Sequence, residues 1–137
     1  MLIPDGDVSG VIATAQFDAG IDIYMGQGGA PEGVLAAAAL RCIGGFMQGR
    51  LVFRNDEEKS RATRMGVTDF ARKYELHDLA QGDVMFAATG VTDGAMLKGV
   101  RRFAKGAQTH SIIMRSNTGT VRRIEATHNF ARKVSVA

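Results

Sequence analysis

The stretch between Gly33 and Gly44 constrains the fold most: Val34, Leu35, four alanines, Leu40, Cys42 and Ile43 leave Arg41 as its only polar side chain. A helix that is apolar nearly all round has no face suited to water, so it belongs in the middle of something larger. Pro31 suits the first helical position and Gly44-Gly45 the stop. The helix therefore directs the positive end of its dipole into a protected place, and Gly26-Gln27-Gly28-Gly29-Ala30-Pro31-Glu32-Gly33 leads into it.

The surrounding elements read as an α/β protein. Leu2-Ile3 looks like the tail of a strand with its beginning missing, and Asp5-Gly6-Asp7 is a turn whose Asp7 caps a helix from Val8 to about Phe17. Residues Ile21 to Met25 form a short strand. This order of strand, turn, helix and strand is that of a layered sheet, where ligands collect at the carboxyl ends of strands. Further on, Met47 to Arg54 reads as a strand, with a loop open to proteolysis around Asn55. Asp56 to Met65 reads as a solvated helix, and Val67 to Tyr74 as a second helix capped by Thr68. Asp83 to Gly90 is strand-like. Antiparallel segments follow at Leu97 to Phe103, Ala107 to Ser116 and Thr120 to His128, with Asn117-Thr118-Gly119 as a hairpin turn and a frayed tail from Phe130 to Ala137.

Composition narrows the function classes. A chain of 137 residues, 45% hydrophobic and 23% charged, has the size and core of one domain, so residues 1–137 are read as a single unit. It contains no apolar run approaching the ~18–20 residues of a membrane span and no basic start of a secretory signal, which excludes a membrane partner and suits the cytoplasm. The lone Cys42 forbids an internal disulfide and a multi-cysteine zinc site. A net charge of +3 favours an anionic substrate without demanding nucleic acid, and two tyrosines with no tryptophan offer few stacking surfaces. Nucleic-acid binding through Arg101, Arg102, Arg115, Arg122 and Arg123 is accordingly not expected. Seventeen glycines, clustered beside polar residues, fit backbone-lined ligand sites instead.

Three segments place polar groups at strand ends: Asp5-Gly6-Asp7, Gly26 to Gly33, and Thr89 to Gly94. In the Gly26–Gly33 loop, glycines admit backbone amides to a phosphate and the helix dipole favours an anion. Glu32 in the first helical turn has two open readings, a divalent-metal ligand or a complement to the dipole. The loop lacks the Gly-Lys-Ser/Thr ending of a Walker A motif, and its glycine spacing is not a dinucleotide fingerprint. His77, His110 and His128 have no metal-ligand spacing, while Ser9, Ser111 and Ser116 lack a nucleophile elbow.

Ile3-Pro4-Asp5-Gly6-Asp7-Val8, Gly26 through Val34, Gly82 through Gly94, and Met114-Arg115-Ser116 with Thr120-Val121-Arg122 together resemble the class II fructose-1,6-bisphosphatases of bacteria. The resemblance runs along essentially the whole chain and corresponds to the carboxy-terminal part of a family enzyme more than twice as long. It implies a layered α/β fold of the lithium-sensitive inositol and fructose phosphatase superfamily, ending in an antiparallel β segment. The implied reaction is hydrolysis of fructose 1,6-bisphosphate to fructose 6-phosphate and phosphate, in gluconeogenesis or carbon fixation, with Mg²⁺ or Mn²⁺ as cofactor. Carried over by motif, Glu32 resembles a metal ligand, while Asp5, Gly6, Asp7 and Gly29 resemble substrate contacts. The family's other metal carboxylates and its basic substrate cluster belong to an amino-terminal half that this sequence lacks. The chain alone is therefore expected to be inactive, with that missing half or a homo-oligomer as partner. A non-catalytic sugar-phosphate binding or interaction module is the alternative.

Overall fold

A computed structural model describes residues 2–3 and 6–132 and, for Asp7, the backbone only. Helices α1 (Asp7–Ala13), α2 (Ala30–Ile43) and α4 (Leu76–Leu79) pack together on one side of an antiparallel sheet. That sheet comprises β3 (Met85–Thr89), β4 (Arg101–Phe103), β5 (Gly106–Arg115) and β6 (Thr120–Asn129). β5 is its spine. One of its edges pairs with β3 through Arg115 to Ser111 and with β4 through Gln108 to Gly106; the other pairs with β6 along its full length. A separate ribbon joins β1 (Gln48–Arg50) to β2 (Lys73–Glu75), and the charged helix α3 (Asp56–Arg64) lies between them in sequence.

α2 sits at the centre because its small side chains allow close approach on two sides. Ala39 and Cys42 join Ile12 of α1, Phe86 of β3, and Ile112 and Met114 of β5 in one buried cluster. Ala37 and Leu40 join Leu76 and Ala80 in a second. Arg41, the one polar residue of the run, donates to the carbonyls of Ala80 (2.5 Å) and Gly82 (3.0 Å), fixing the carboxyl end of α2 beside the start of β3. The helix stops at Gly44, whose φ of 88° is costly for any residue with a Cβ. The exposure of Val34 and Leu35, at 44% and 51%, departs from the expectation of burial all round.

Alternation divides the sheet cleanly. Phe86 and Ala88 face the helices with Met114 and Ile112, while Met85 and the neighbouring odd-numbered residues of β3 face the other way. Several expected elements differ. The first helix ends at Ala13 rather than Phe17, and Gly6 rather than Asp7 is its N-cap. Ile21–Met25 forms no regular element, with Ile23 and Met25 exposed, because no strand pairs with it among the described residues. The strand expected over Met47 to Arg54 shrinks to β1. The helix expected over Val67 to Tyr74 is absent: Phe70 packs edge-on against Phe53 at 5.1 Å, the Arg72 guanidinium lies 4.8 Å over Tyr74, and Lys73 enters β2. Asn55 caps α3 by accepting from the Glu58 amide at 2.9 Å, so it is not a bare loop residue. Every strand pairing described is antiparallel, and the layered strand–helix–strand opening expected over residues 2–25 contributes α1 but no paired strand among the described residues. No helix among the described residues is long and apolar enough to cross a membrane.

Two outcomes test this packing. Ile112 is fully buried at the meeting of α1, α2 and the sheet, so Ile112→Ala should cost about 2–5 kcal/mol of unfolding free energy, read from urea denaturation. Burial pushes the Cys42 thiol above its ordinary pKa, against smaller opposing effects of a Phe86 backbone hydrogen bond and the Arg41 charge. The reactive thiolate is thus suppressed at neutral pH, and a thiol reagent at about pH 8 should label Cys42 slowly in the folded chain and rapidly in denaturant.

Candidate functional site

The candidate site forms where the glycine loop becomes α2. Gly29 is the N-cap, in extended conformation (φ −67°, ψ 150°), and no side chain caps the helix. The Gly33 amide closes the first turn on the Gly29 carbonyl at 3.0 Å, and Pro31 contributes no amide hydrogen. The remaining first-turn amides are open to an anion, in the field of the helix dipole. Glu32 is exposed and makes no ion pair among the described residues. Its carboxylate folds back over Gly29, so that a Cβ at position 29 would collide with Glu32 Oε2. Gly29 thus serves by leaving space rather than by adopting an unusual φ. The loop amides and the carboxylate share one small volume as a result.

Tyr24 links this loop to the first segment. Its ring lies so close to α1 that a Cβ on Gly10 would sit 2.9 Å from Tyr24 Cε2, and a Cβ on Gly26 would sit 2.8 Å from its hydroxyl. The glycines of α1 and of the loop therefore receive the two sides of one aromatic ring. The ring thus lies between α1, which begins immediately after Gly6, and Gly26 at the start of the loop. Gly6 itself adopts a left-handed conformation (φ 85°) and accepts from Ser9 Oγ at 2.7 Å. Asp5 lies outside the described residues, as does the Asp7 side chain; the Asp7 backbone begins α1. Sequence reasoning passed over Tyr24. The signal was present in an aromatic residue between Gly10 and Gly26 in a chain with two tyrosines.

The third segment behaves differently. Ala88 packs toward the helices, so Thr89 points to the opposite face of the sheet, where its hydroxyl meets Ser111 Oγ at 2.8 Å. The loop after it is closed on itself: the Gly99 amide donates to Asp93 Oδ1 at 2.9 Å, and the Val100 amide to the Val91 carbonyl at 3.1 Å. No hydrogen bond or ion pair among the described residues joins it to Glu32. Two of the three histidines have partners elsewhere, with His128 Nε2 at 2.9 Å from Thr109 Oγ1 and His110 Nδ1 at 3.7 Å from Glu125, and His77 lies in α4. No group of three or more His, Cys, Asp or Glu side chains among the described residues is placed to hold a metal ion.

Comparison with known proteins supplies the context for this geometry. Residues 1–128 match the family model described as bacterial fructose-1,6-bisphosphatase, glpX-encoded. The chain is similar to the D-fructose 1,6-bisphosphatase class 2/sedoheptulose 1,7-bisphosphatase of Synechococcus elongatus, 40% identical over 142 residues, which cover 94% of this chain and 41% of that protein. The protein of the same description from Synechococcus sp. strain JA-3-3Ab is 39% identical over 140 residues, covering 93% of this chain and 40% of the relative. The chain thus spans about two fifths of the length of the curated relatives it matches. With nearly its whole length inside the family model, the chain belongs to the glpX-encoded family of bacterial fructose-1,6-bisphosphatases.

Proposed function

We propose that this chain is the sugar-phosphate- and metal-contacting part of a divalent-metal-dependent sugar-bisphosphate phosphatase, which converts fructose 1,6-bisphosphate and water to fructose 6-phosphate and phosphate. The observation that carries this reading is the Glu32 carboxylate, without an ion-pair partner among the described residues, folded over Gly29 at an uncapped helix amino terminus. The names of the Synechococcus relatives support the substrate class. In this reading the fold is that of the lithium-sensitive inositol and fructose phosphatase superfamily; a helical layer on an antiparallel sheet supports it. Cytoplasmic location is part of the same reading, supported by a lone cysteine carried as a free thiol.

The residues fit a metal as one ligand among several. Glu32 offers a hard carboxylate oxygen of the kind Mg²⁺ and Mn²⁺ take, and the absence of a three-residue cluster among the described residues means that other ligands come from outside them. When bound, the cation supplies charge neutralisation at the phosphoryl oxygens and a more acidic water. The first-turn amides beside Gly29 orient the phosphate, and the segment Asp5-Gly6-Asp7 takes the sugar hydroxyls. Tyr24 holds α1 and the loop at a fixed separation, so that sugar and phosphate are positioned together. A second reading, a binding module without chemistry, draws on the same missing ligand cluster.

Phosphate release from fructose 1,6-bisphosphate with Mg²⁺ or Mn²⁺ separates the two. The chain alone should be inactive, and activity should appear when the remaining length of the family enzyme is supplied as a second polypeptide. Glu32→Gln in that mixture should lower turnover by about 100-fold or more, roughly 2.7 kcal/mol of transition-state stabilisation, and weaken Mn²⁺ binding followed by electron paramagnetic resonance. Unchanged turnover and metal binding would remove Glu32 from the site. Substrate binding without turnover in the associated halves would favour the module.

A further inference from the structure

The ribbon of β1 and β2 sets two cations directly against one another. Its register pairs Gln48 with Glu75, Gly49 with Tyr74 and Arg50 with Lys73. The Glu75 amide donates to Asp78 Oδ2 at 2.9 Å rather than to Gln48, so Gly49 and Tyr74 are the pair that exchanges ladder hydrogen bonds. Gln48–Glu75 and Arg50–Lys73 are then the non-hydrogen-bonded pairs, whose side chains stand closest on one face. Gln48 Nε2 does meet Glu75 Oε1 there, at 2.7 Å.

Opposed like charges destabilise a ladder, and this one is short. Each strand has three residues, and the ribbon joins no further strand among the described residues. Arg50 and Lys73 are both exposed, and neither side chain has a hydrogen bond or an ion pair among the described residues. The carboxylates of the β2–α4 segment are engaged: Glu75 accepts from Gln48, and Asp78 pairs at 2.7 Å with Arg72, which lies over the Tyr74 ring on the opposite face. Exposure alternates from Gln48 through Arg50 and Val52 to Arg54, so a third cation continues the same side. A guanidinium and an ammonium placed together without a counter-charge match a phosphoryl dianion, which accepts from the planar fork and the point charge at once.

This pair is separate from the glycine loop. β1 begins beyond Gly44, past the carboxyl end of α2, whereas Glu32 lies in the first turn of that helix. β2 runs directly into α4, whose Leu76 packs with Ala37 and Leu40 of α2. A ligand bridging the two strands therefore pins two segments that both lead onto α2.

We propose that Arg50 and Lys73 form an accessory anion site, which takes the phosphoryl group of a small phosphorylated molecule and locks the β1–β2 ribbon. Hydrogen exchange of the 137-residue chain reads it, with inorganic phosphate and with fructose 6-phosphate, each against chloride at equal ionic strength. At about ten times the dissociation constant, exchange of the Gly49 and Tyr74 amides should slow by about tenfold. A response to both ligands, or to one of them, supports the site and shows whether free phosphate or an ester fills it; an equal response to chloride overturns it. Arg50→Gln or Lys73→Gln should raise the phosphate dissociation constant by about tenfold without changing the exchange of residues 26–33, with circular dichroism confirming the fold. Arg50→Glu sets an acid against Lys73, so it should slow ribbon exchange in the absence of phosphate and abolish the response to it. Ribbon amides indifferent to both phosphates, Gln variants that bind as the wild type does, or an Arg50→Glu ribbon that still responds would each overturn the proposal. So would loss of the response when the remaining length of the family enzyme is supplied as a second polypeptide, since a protein group would then answer the two cations.

Discussion

The close approach of α2 to everything around it is the contact on which the molecule depends. Alanines at 36 to 39 project only a methyl group, so the helix axis can lie near the sheet on one side and near α4 on the other. Larger residues would need rearrangement on both sides at once, because protein interiors are close-packed and overpacking is itself destabilising. Arg41 then fixes the direction of the helix by binding carbonyls just before β3. The proposed site at Gly29 and Glu32 is held in place by contacts made a few turns further along the helix. A long buried anchor with a free first turn is a rigid way to present backbone amides and one carboxylate.

What was legible in the sequence follows from where local preference and tertiary context agree. The limits of α2 were readable because Pro31 and Gly44 act locally, the second through a left-handed backbone that a side chain resists. β5 and β6 were readable because two long β-prone runs flank a short turn at 116–119. Residues 67–74 were misread because their fate depends on distant partners: Phe53 for Phe70, and β1 for Lys73 to Glu75. Ile21 to Met25 shows the converse. Its side chains have high β propensity, but a strand exists only through the ladder it joins, and none of the described strands pairs with it.

The candidate site was partly legible for the same reason. A glycine loop before a capless helix is a local feature, and Glu32 is part of it. The role of Tyr24 is not local, since it consists in filling the space left by Gly10 and Gly26, which lie sixteen positions apart in the sequence. Thr89 is kept from the helical side by parity alone. Ala88 faces the helices, so its neighbour must face away, and the Ser111 hydroxyl there satisfies it. Placing Thr89 correctly requires the burial phase of β3, which the mixture of small and apolar residues in Met85 to Thr89 leaves ambiguous.

The two ends of α2 meet different surroundings. Arg123 and Val121 border a cavity of about 270 Å³ together with Ile43, the last residue of α2, and with Asp18 beyond α1. Glu32 lies eleven residues earlier, about 17 Å along the axis at ~1.5 Å per residue. The cluster of Ala39, Cys42, Ile112 and Met114 stands between that cavity and the glycine loop. That cluster is densely packed, and a change at one end reaches the other only by shifting it as a unit.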